Sequence, residues 1–306
     1  MTDLPGRSIS IDSTVGIIGA GRLGCSLGLA MAVAGCRVIA ASTRSAERRA
    51  LLSDRVAGVK VTAAPEDVAQ AAQIIFITAP DSAIADVARS VRWRPEQAVV
   101  HCSGAMSLDA LVPAGRQGAA TGGFHPMQTF PSPDASGNLR GITFGVECGD
   151  PALSSYLGSL ARILGGEIVR ISAAQRAAYH TSAVMASGLM SAWAGMAADM
   201  WAQFGETRER ALHALSPLIV STSLAVARMG VPGAITGPYV RGDVDTIARH
   251  LAATAAQGGE IGRAYAALAL ATLPIAAEQG GLDEERRRSI ESMLQDVLRD
   301  PREAPQ

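Results

Sequence analysis

VGIIGAGRLG at residues 15–24, followed by an apolar run and then VIAASTRS at residues 38–45, decides the fold of this chain. An apolar strand enters a turn carrying Gly19, Gly21 and Gly24, a helix follows, and a second apolar strand ends on Ser42, Thr43, Arg44 and Ser45. Each glycine has its own task. Gly19 makes the tight turn, Gly21 lets the backbone approach a pyrophosphate, and Gly24 lets helix and strand pack closely. Arg22 and Leu23 open the helix whose N-terminus faces the phosphates. The chain holds 32 glycines, so the spacing alone is weak, but the flanking strand, helix and second strand make it a dinucleotide site. An NAD site commonly ends its second strand with an acid for the ribose 2′-hydroxyl, whereas hydroxyls and a guanidinium suit a 2′-phosphate. The stretch predicts NADP(H).

Outward from this motif, short apolar strands alternate with helices as far as residue 171, at 15–18, 38–41, 59–61, 74–78, 98–101, 119–124 and 142–146. That alternation predicts an α/β fold with a Rossmann-like, doubly wound, mostly parallel sheet. Ligands in such sheets bind beyond the carboxyl ends of the strands. Three such ends, Ala79-Pro80-Asp81, His101-Cys102-Ser103-Gly104 and Phe124-His125-Pro126, converge on one crevice, and Ala79, Pro80, Ser103 and Gly104 join the cofactor-binding candidates. From residue 172 onward the chain turns to long Ala-, Leu- and Met-rich helical runs. The expected division is therefore 1–171 for an NADP-binding domain and 172–306 for an all-α substrate and dimerisation domain. Ser172 and Gln175 form a capping-box signature that opens a helix running past Trp201. The Gly230-Val231-Pro232-Gly233 segment ends another helix, Asp243 N-caps the next, and residues 301–306 are expected to fray.

Composition narrows the function classes. With 27 basic and 28 acidic side chains and a net charge of −1, the chain has no basic stripe for a nucleic acid. The apolar run after residue 15 is interrupted by Arg22, Arg37 and the turn glycines, which argues against a membrane span. The first thirteen residues lack the apolar core of a secretory signal, so a cytoplasmic protein is expected. Cys25, Cys36, Cys102 and Cys148 form no CxxC or Cys/His spacing for a metal and read as buried free thiols. Lys60 is the sole lysine, which excludes a catalytic lysine from the helical half.

Several side chains could carry chemistry. Arg176, His180 and Ser187 project from similar angles of one helix and could meet a substrate anion; Tyr179-His180 taken alone reads as a packed core pair, and a later loop of the same half shifts the reading toward a site. The Thr236-Gly-Pro-Tyr-Val-Arg-Gly-Asp243 loop combines a rigid proline, two glycines and a cation at a helix start. Asp243, Thr246 and His250 then share a face, although Arg241 and Asp243 could simply pair and cap the helix. His125, restrained by Pro126, has the pKa class for proton transfer near neutrality. His101, at a strand end, reads as structural.

Taken together, these motifs resemble a family of two-domain bacterial proteins with a Rossmann-like amino half and a helical domain of unknown function, within the ketopantoate reductase and 6-phosphogluconate dehydrogenase-like group. Carrying the resemblance are Gly19 to Gly24, Ala79-Pro80-Asp81, His101 to Gly104, Phe124-His125-Pro126 with Phe130, Tyr179-His180, and Thr236-Gly237-Pro238 with Arg241-Gly242-Asp243, Thr246 and His250. The resemblance implies NADP(H) as cofactor, a helical dimerisation domain, and ketopantoate or another small 2-oxo acid as substrate. Relatives commonly place Lys at the position of Arg176 and Asn at that of Gly188. Arginine stays protonated and anchors a carboxylate, but donates a proton poorly. The expected function is an NADP(H)-dependent oxidoreductase acting on the carbonyl or imine of a small anionic substrate. In that reading Arg176 or Arg241 holds the carboxylate and His180 or His125 supplies the proton. The alternative is a catalytically silent NADP-binding sensor or partner protein. The apolar helices predict a homodimer through the helical half.

Overall fold

The structure, a computed structural model, describes residues 9–299. The first eight residues and the segment expected to fray, 301–306, lie outside the described residues. Two compact units divide between Ser187 and Gly188.

The first unit is built on one eight-stranded sheet in the order β3-β2-β1-β4-β5-β6-β7-β8. Its strands are β1 Val15–Ile18, β2 Val38–Ser42, β3 Lys60–Thr62, β4 Ile74–Ile77, β5 Ala98–His101, β6 Ala120–Pro126, β7 Thr143–Cys148 and β8 Glu167–Arg170. All neighbours pair parallel except β6 and β7, so the last two strands run against the rest. Helices α1 Arg22–Val33, α2 Ala46–Arg55, α3 Pro65–Ala71, α4 Asp81–Ser90, α5 Val112–Arg116 and α6 Pro151–Ile163 fill the crossovers, and α7 Arg176–Val184 follows the sheet. Central strands covered on both faces must be apolar at every position, and β1, β4 and β5 are buried throughout. Alternate residues feed two cores. Ile17, Phe76, Val100, Phe124 and Phe144 join one, with Phe124 stacked on Phe144 at a centroid distance of 4.5 Å. Ile18, Ile75, Ile77 and Val99 join the other with Ile84 and Trp93. Of the four free cysteines, Cys25, Cys36 and Cys102 are buried and Cys148 is half-buried.

Strand β8 has no counterpart among the expected strands. Its four residues, Glu167-Ile-Val-Arg170, sit at the sheet edge with three of them exposed, so no apolar run marks them. Ser172 and Gln175 do form the capping box, and the helical turns that follow end at Gly205 with φ +80°.

The second unit is helical: α8 Met190–Asp199, α9 Arg208–Ala234, α10 Pro238–Arg241, α11 Val244–Ala255, α12 Gly259–Glu278 and α13 Glu284–Arg299. Its core gathers Ile247, Ala269, Leu273, Ile290 and Leu294 from the last three helices. Gly230, at φ 73° and ψ 172°, breaks the helical path of α9 where the glycine-proline segment predicts an end. Asp243 accepts a hydrogen bond from the Thr246 amide and caps α11. Leu218, Val220, Leu224 and Met229 stand exposed along α9. Within Arg208–Arg241 an 18-residue window reaches a mean hydropathy of 1.5, long and apolar enough to cross a bilayer by length and composition alone.

Candidate active site

The glycine turn behaves as a cradle. Gly19 sits at φ +80°, where a Cβ would fall 2.8 Å from the Ala79 amide nitrogen, so only glycine passes without strain. Its own amide and that of Ala20 donate to the Ser42 carbonyl at 3.1 and 2.8 Å, tying the turn to the end of β2. The Thr78 hydroxyl donates to the Gly19 carbonyl at 3.0 Å from the other side. A Cβ on Gly21 would meet nothing closer than 3.7 Å, which leaves room for a ligand against the backbone. Helix α1 starts there with no side-chain cap and no acid in its first turn, so its amides are donors for an anion.

This turn opens onto a cleft of about 1000 Å³ that ends at Ser42, Thr43, Arg44, Ser45 and Arg48. Arg22, Leu23, Ala79, Pro80 and Phe130 also line it, and no carboxylate among the described residues does. Ser45 caps α2 by accepting from the Arg48 amide at 3.3 Å, and Arg48, in the first turn of that helix, lines the cleft with Arg44. Arg48 is absent from the sequence-based candidates. Its position in the first turn of the helix that follows the end of β2 is the signal that marks it.

A second group of side chains lies at the ends of β5, β6 and β7. Arg176, only 2% exposed, donates through Nε and Nη2 to the Glu147 carboxylate at 2.9 and 2.5 Å, and through Nη1 to the Ser103 carbonyl at 3.0 Å. The guanidinium expected to anchor a substrate is thus committed to a buried ion pair. Glu147 went unrecognised in the sequence because 29 residues separate it from its partner. Ser103 and Gly104 do not line the cofactor cleft. The Ser103 hydroxyl accepts from the amides of Ala105 and Met106, while the Gly104 α-carbon abuts two imidazoles. Those rings belong to His125 and His180, 6.0 Å apart between centroids and edge to face. Tyr179 places its hydroxyl 2.8 Å from His125 Nδ1, so the Tyr179-His180 pair reaches the end of β6.

Three glycines form the floor under α7. A Cβ on Gly104 would lie 2.5 Å from the His180 ring, one on Gly123 2.9 Å from Arg176 Nη2, and one on Gly145 2.5 Å from the Tyr179 hydroxyl. Burial disfavours charge on the imidazoles of the site. It lowers His125 to about 4, helped by the neighbouring His180 and Arg176, with Asp81 opposing. His101 is likewise lowered to about 4 by burial and by Arg176, and neither of its ring nitrogens has a partner among the described residues. Both imidazoles are neutral at pH 7.

The remaining candidates lie in the helical unit. Arg241 is exposed and Asp243 is engaged as the α11 cap, with its carboxyl held below the usual range by the Thr246 hydrogen bonds. His250 Nδ1 is 2.9 Å from the Tyr265 hydroxyl, which in turn is 2.6 Å from that of Tyr239. Ser187, at the end of the first unit, donates to the Ala183 carbonyl of α7 at 2.6 Å.

Two outcomes follow from this electrostatics. Glu147→Gln strands the buried Arg176 charge, and chemical denaturation should show a loss of about 3–5 kcal/mol, partly recovered when Arg176→Met is added. For His101 the native pKa lies below the unfolded value, so as pH falls below about 6.5 the unfolded chain takes up the proton first. Stability should therefore drop between pH 6.5 and 5 by up to about 1.4 kcal/mol per pH unit. Urea midpoints across that range check it, and His101→Leu should flatten the slope.

Residues 7–126 match the family description of a Rossmann-like domain, and residues 142–272 match DUF2520, a domain of unknown function. No curated protein matches the chain. Among solved structures, a candidate NADP oxidoreductase from Bacteroides fragilis superposes with a TM-score of 0.71 at 26% identity, covering 87% of this chain and 100% of that one. Protein TM1727 from Thermotoga maritima superposes with a TM-score of 0.67 at 22% identity over 86% of this chain and 99% of its own. A pyrroline-5-carboxylate reductase from Coxiella burnetii shares the fold with a TM-score of 0.56 at 13% identity, over 94% and 97% of the two chains. The glycine cradle and strands β1 to β6 thus lie within the segment that matches the Rossmann-like domain, and the segment that matches DUF2520 takes in β7, β8 and much of the helical stretch after them.

Proposed function

We propose that the chain is an NADP(H)-dependent oxidoreductase that reduces the carbonyl or imine of a small anionic substrate, of the 2-oxo acid kind implied by its resemblance to ketopantoate reductase-like proteins. The observation that carries this reading is the cleft itself. A glycine cradle and the free amides of α1 suit a pyrophosphate, and the far end offers Arg44 and Arg48 with no carboxylate among the described residues to repel a 2′-phosphate. The assignment of the Bacteroides fragilis relative points the same way.

When bound, NADPH supplies hydride to the electrophilic carbon, and the substrate oxygen or nitrogen takes one proton to give the alcohol or amine. The chain must then orient the substrate and deliver that proton. His180 is assigned the proton, and His125, neutral beside it, is assigned a hydrogen bond to the reacting heteroatom. Arg176 serves by holding the Ser103-Gly104 loop against β7 through Glu147.

Fluorescence titration should show NADPH binding in preference to NADH. Arg48→Ala should weaken NADPH by about 10–100-fold, the worth of one charge-assisted phosphate contact, while changing NADH little. His180→Ala should lower turnover of 2-oxo acids or cyclic imines far more than NADPH affinity. Preferential NADPH binding without any turnover would instead establish the silent binder.

We further propose that the chain forms a homodimer through its helical unit. Leu218, Val220, Leu224 and Met229 present more apolar surface along α9 than a solvated helix ordinarily carries. Light scattering should give twice the chain mass, and Leu224→Glu should reduce it; a monomeric wild type overturns the proposal.

A further inference from the structure

We infer that Tyr179 is a positioning residue that holds His125 as the Nε2–H tautomer, making it a hydrogen-bond donor toward the reacting oxygen or nitrogen of the substrate. The substrate half of this inference rests on the reductase reading above; the tautomer does not.

The phenol oxygen lies 2.8 Å from His125 Nδ1, and one proton is available to that contact from either side. A phenol is the stronger acid and a neutral imidazole nitrogen the stronger base, so the better hydrogen bond has the phenol donating to a bare Nδ1. The other acceptor within reach of the phenol proton, the His125 carbonyl, is 3.4 Å away, at the limit of a hydrogen bond. Gly145 has no side chain to block the approach, since a Cβ there would lie 2.5 Å from the hydroxyl.

With Nδ1 occupied, the proton of the neutral ring resides on Nε2. That atom is turned toward Gly104, where a Cβ would come within 2.9 Å of Nε2 and 2.5 Å of the His180 ring. The charged and titratable groups around His125 are Arg176 and His180 from α7, Asp81 from the start of α4 and His101 from β5, with Glu147 of β7 acting through its pair with Arg176. Arg176 and His180 disfavour a charged ring, so His125 remains a neutral donor, and its tautomer decides which end of it donates.

The test is long-range proton–nitrogen NMR of the substrate-free, nitrogen-15-labelled full chain at pH 7, with His125→Gln to assign the resonances. The expected wild-type spectrum shows a single neutral tautomer with a bare, hydrogen-bonded Nδ1 and a protonated Nε2. In Tyr179→Phe the Nδ1 resonance should move toward its unbonded position and an Nδ1–H form should appear. Turnover should fall about tenfold, the worth of one lost hydrogen bond, with NADPH affinity unchanged. An Nδ1–H tautomer in the wild type, or an unchanged His125 spectrum in Tyr179→Phe, overturns the inference, and the wild-type spectrum alone decides it should the variant fail to fold. The expected spectra with no turnover of any carbonyl or imine would uphold the tautomer and overturn the reductase reading.

Discussion

The ion pair between Arg176 and Glu147 is the contact on which the candidate site depends. Both charges are removed from water, a cost of several kcal/mol per ion that Coulomb attraction alone does not reliably offset. The Ser103 carbonyl takes a remaining donor of the guanidinium, so one side chain ties together the loop after β5, the end of β7 and the first turn of α7. Once that turn is pinned, Tyr179 and His180 have no freedom to face elsewhere. Tyr179 is three residues along and His180 four, so helical geometry sets both over the same edge of the sheet. A buried pair of this kind contributes more to a unique arrangement than to net stability.

Much of the first unit is legible in the sequence because parallel strands buried on both faces must be continuously apolar. The runs at 15–18 and 98–101 match their strands residue for residue, and the others differ by one or two positions at one or both ends. Strand β8 escapes because an exposed edge strand of four residues carries no such run. The compositional change after residue 171 reflects where strands cease, whereas the compact unit continues to Ser187 because Arg176, Tyr179 and His180 anchor α7 to the sheet.

The site was legible in part, and the division has a physical basis. Local motifs announce themselves: the glycine turn and the hydroxyl-rich end of β2 are contiguous, so their purpose can be read from spacing. Long-range partnerships do not. Nothing near Arg176 in the sequence says that its charge is already spent on a glutamate from another strand, and an arginine near a crevice reads as an anchor until that partner is seen. The same holds for Ser103 and Gly104, whose place beyond a strand suggests a ligand, while their backbone carries Arg176 and the imidazole pair. The two functional regions also differ in charge. The cofactor cleft ends in two guanidiniums, whereas the imidazoles at the ends of β5 and β6 are kept neutral by burial.

The glycine floor under α7 bears on how this chain should be compared with its relatives. Gly104, Gly123 and Gly145 lie 41 residues apart from first to last, yet each is matched to one side chain of a single helix: His180, Arg176 and Tyr179. A side chain gained at any floor position must displace its counterpart above, so the pairs should change together through evolution. Covariation between positions 145 and 179, or 104 and 180, would then sort homologues by the architecture of this site, including those whose overall resemblance to the chain is too faint to place them.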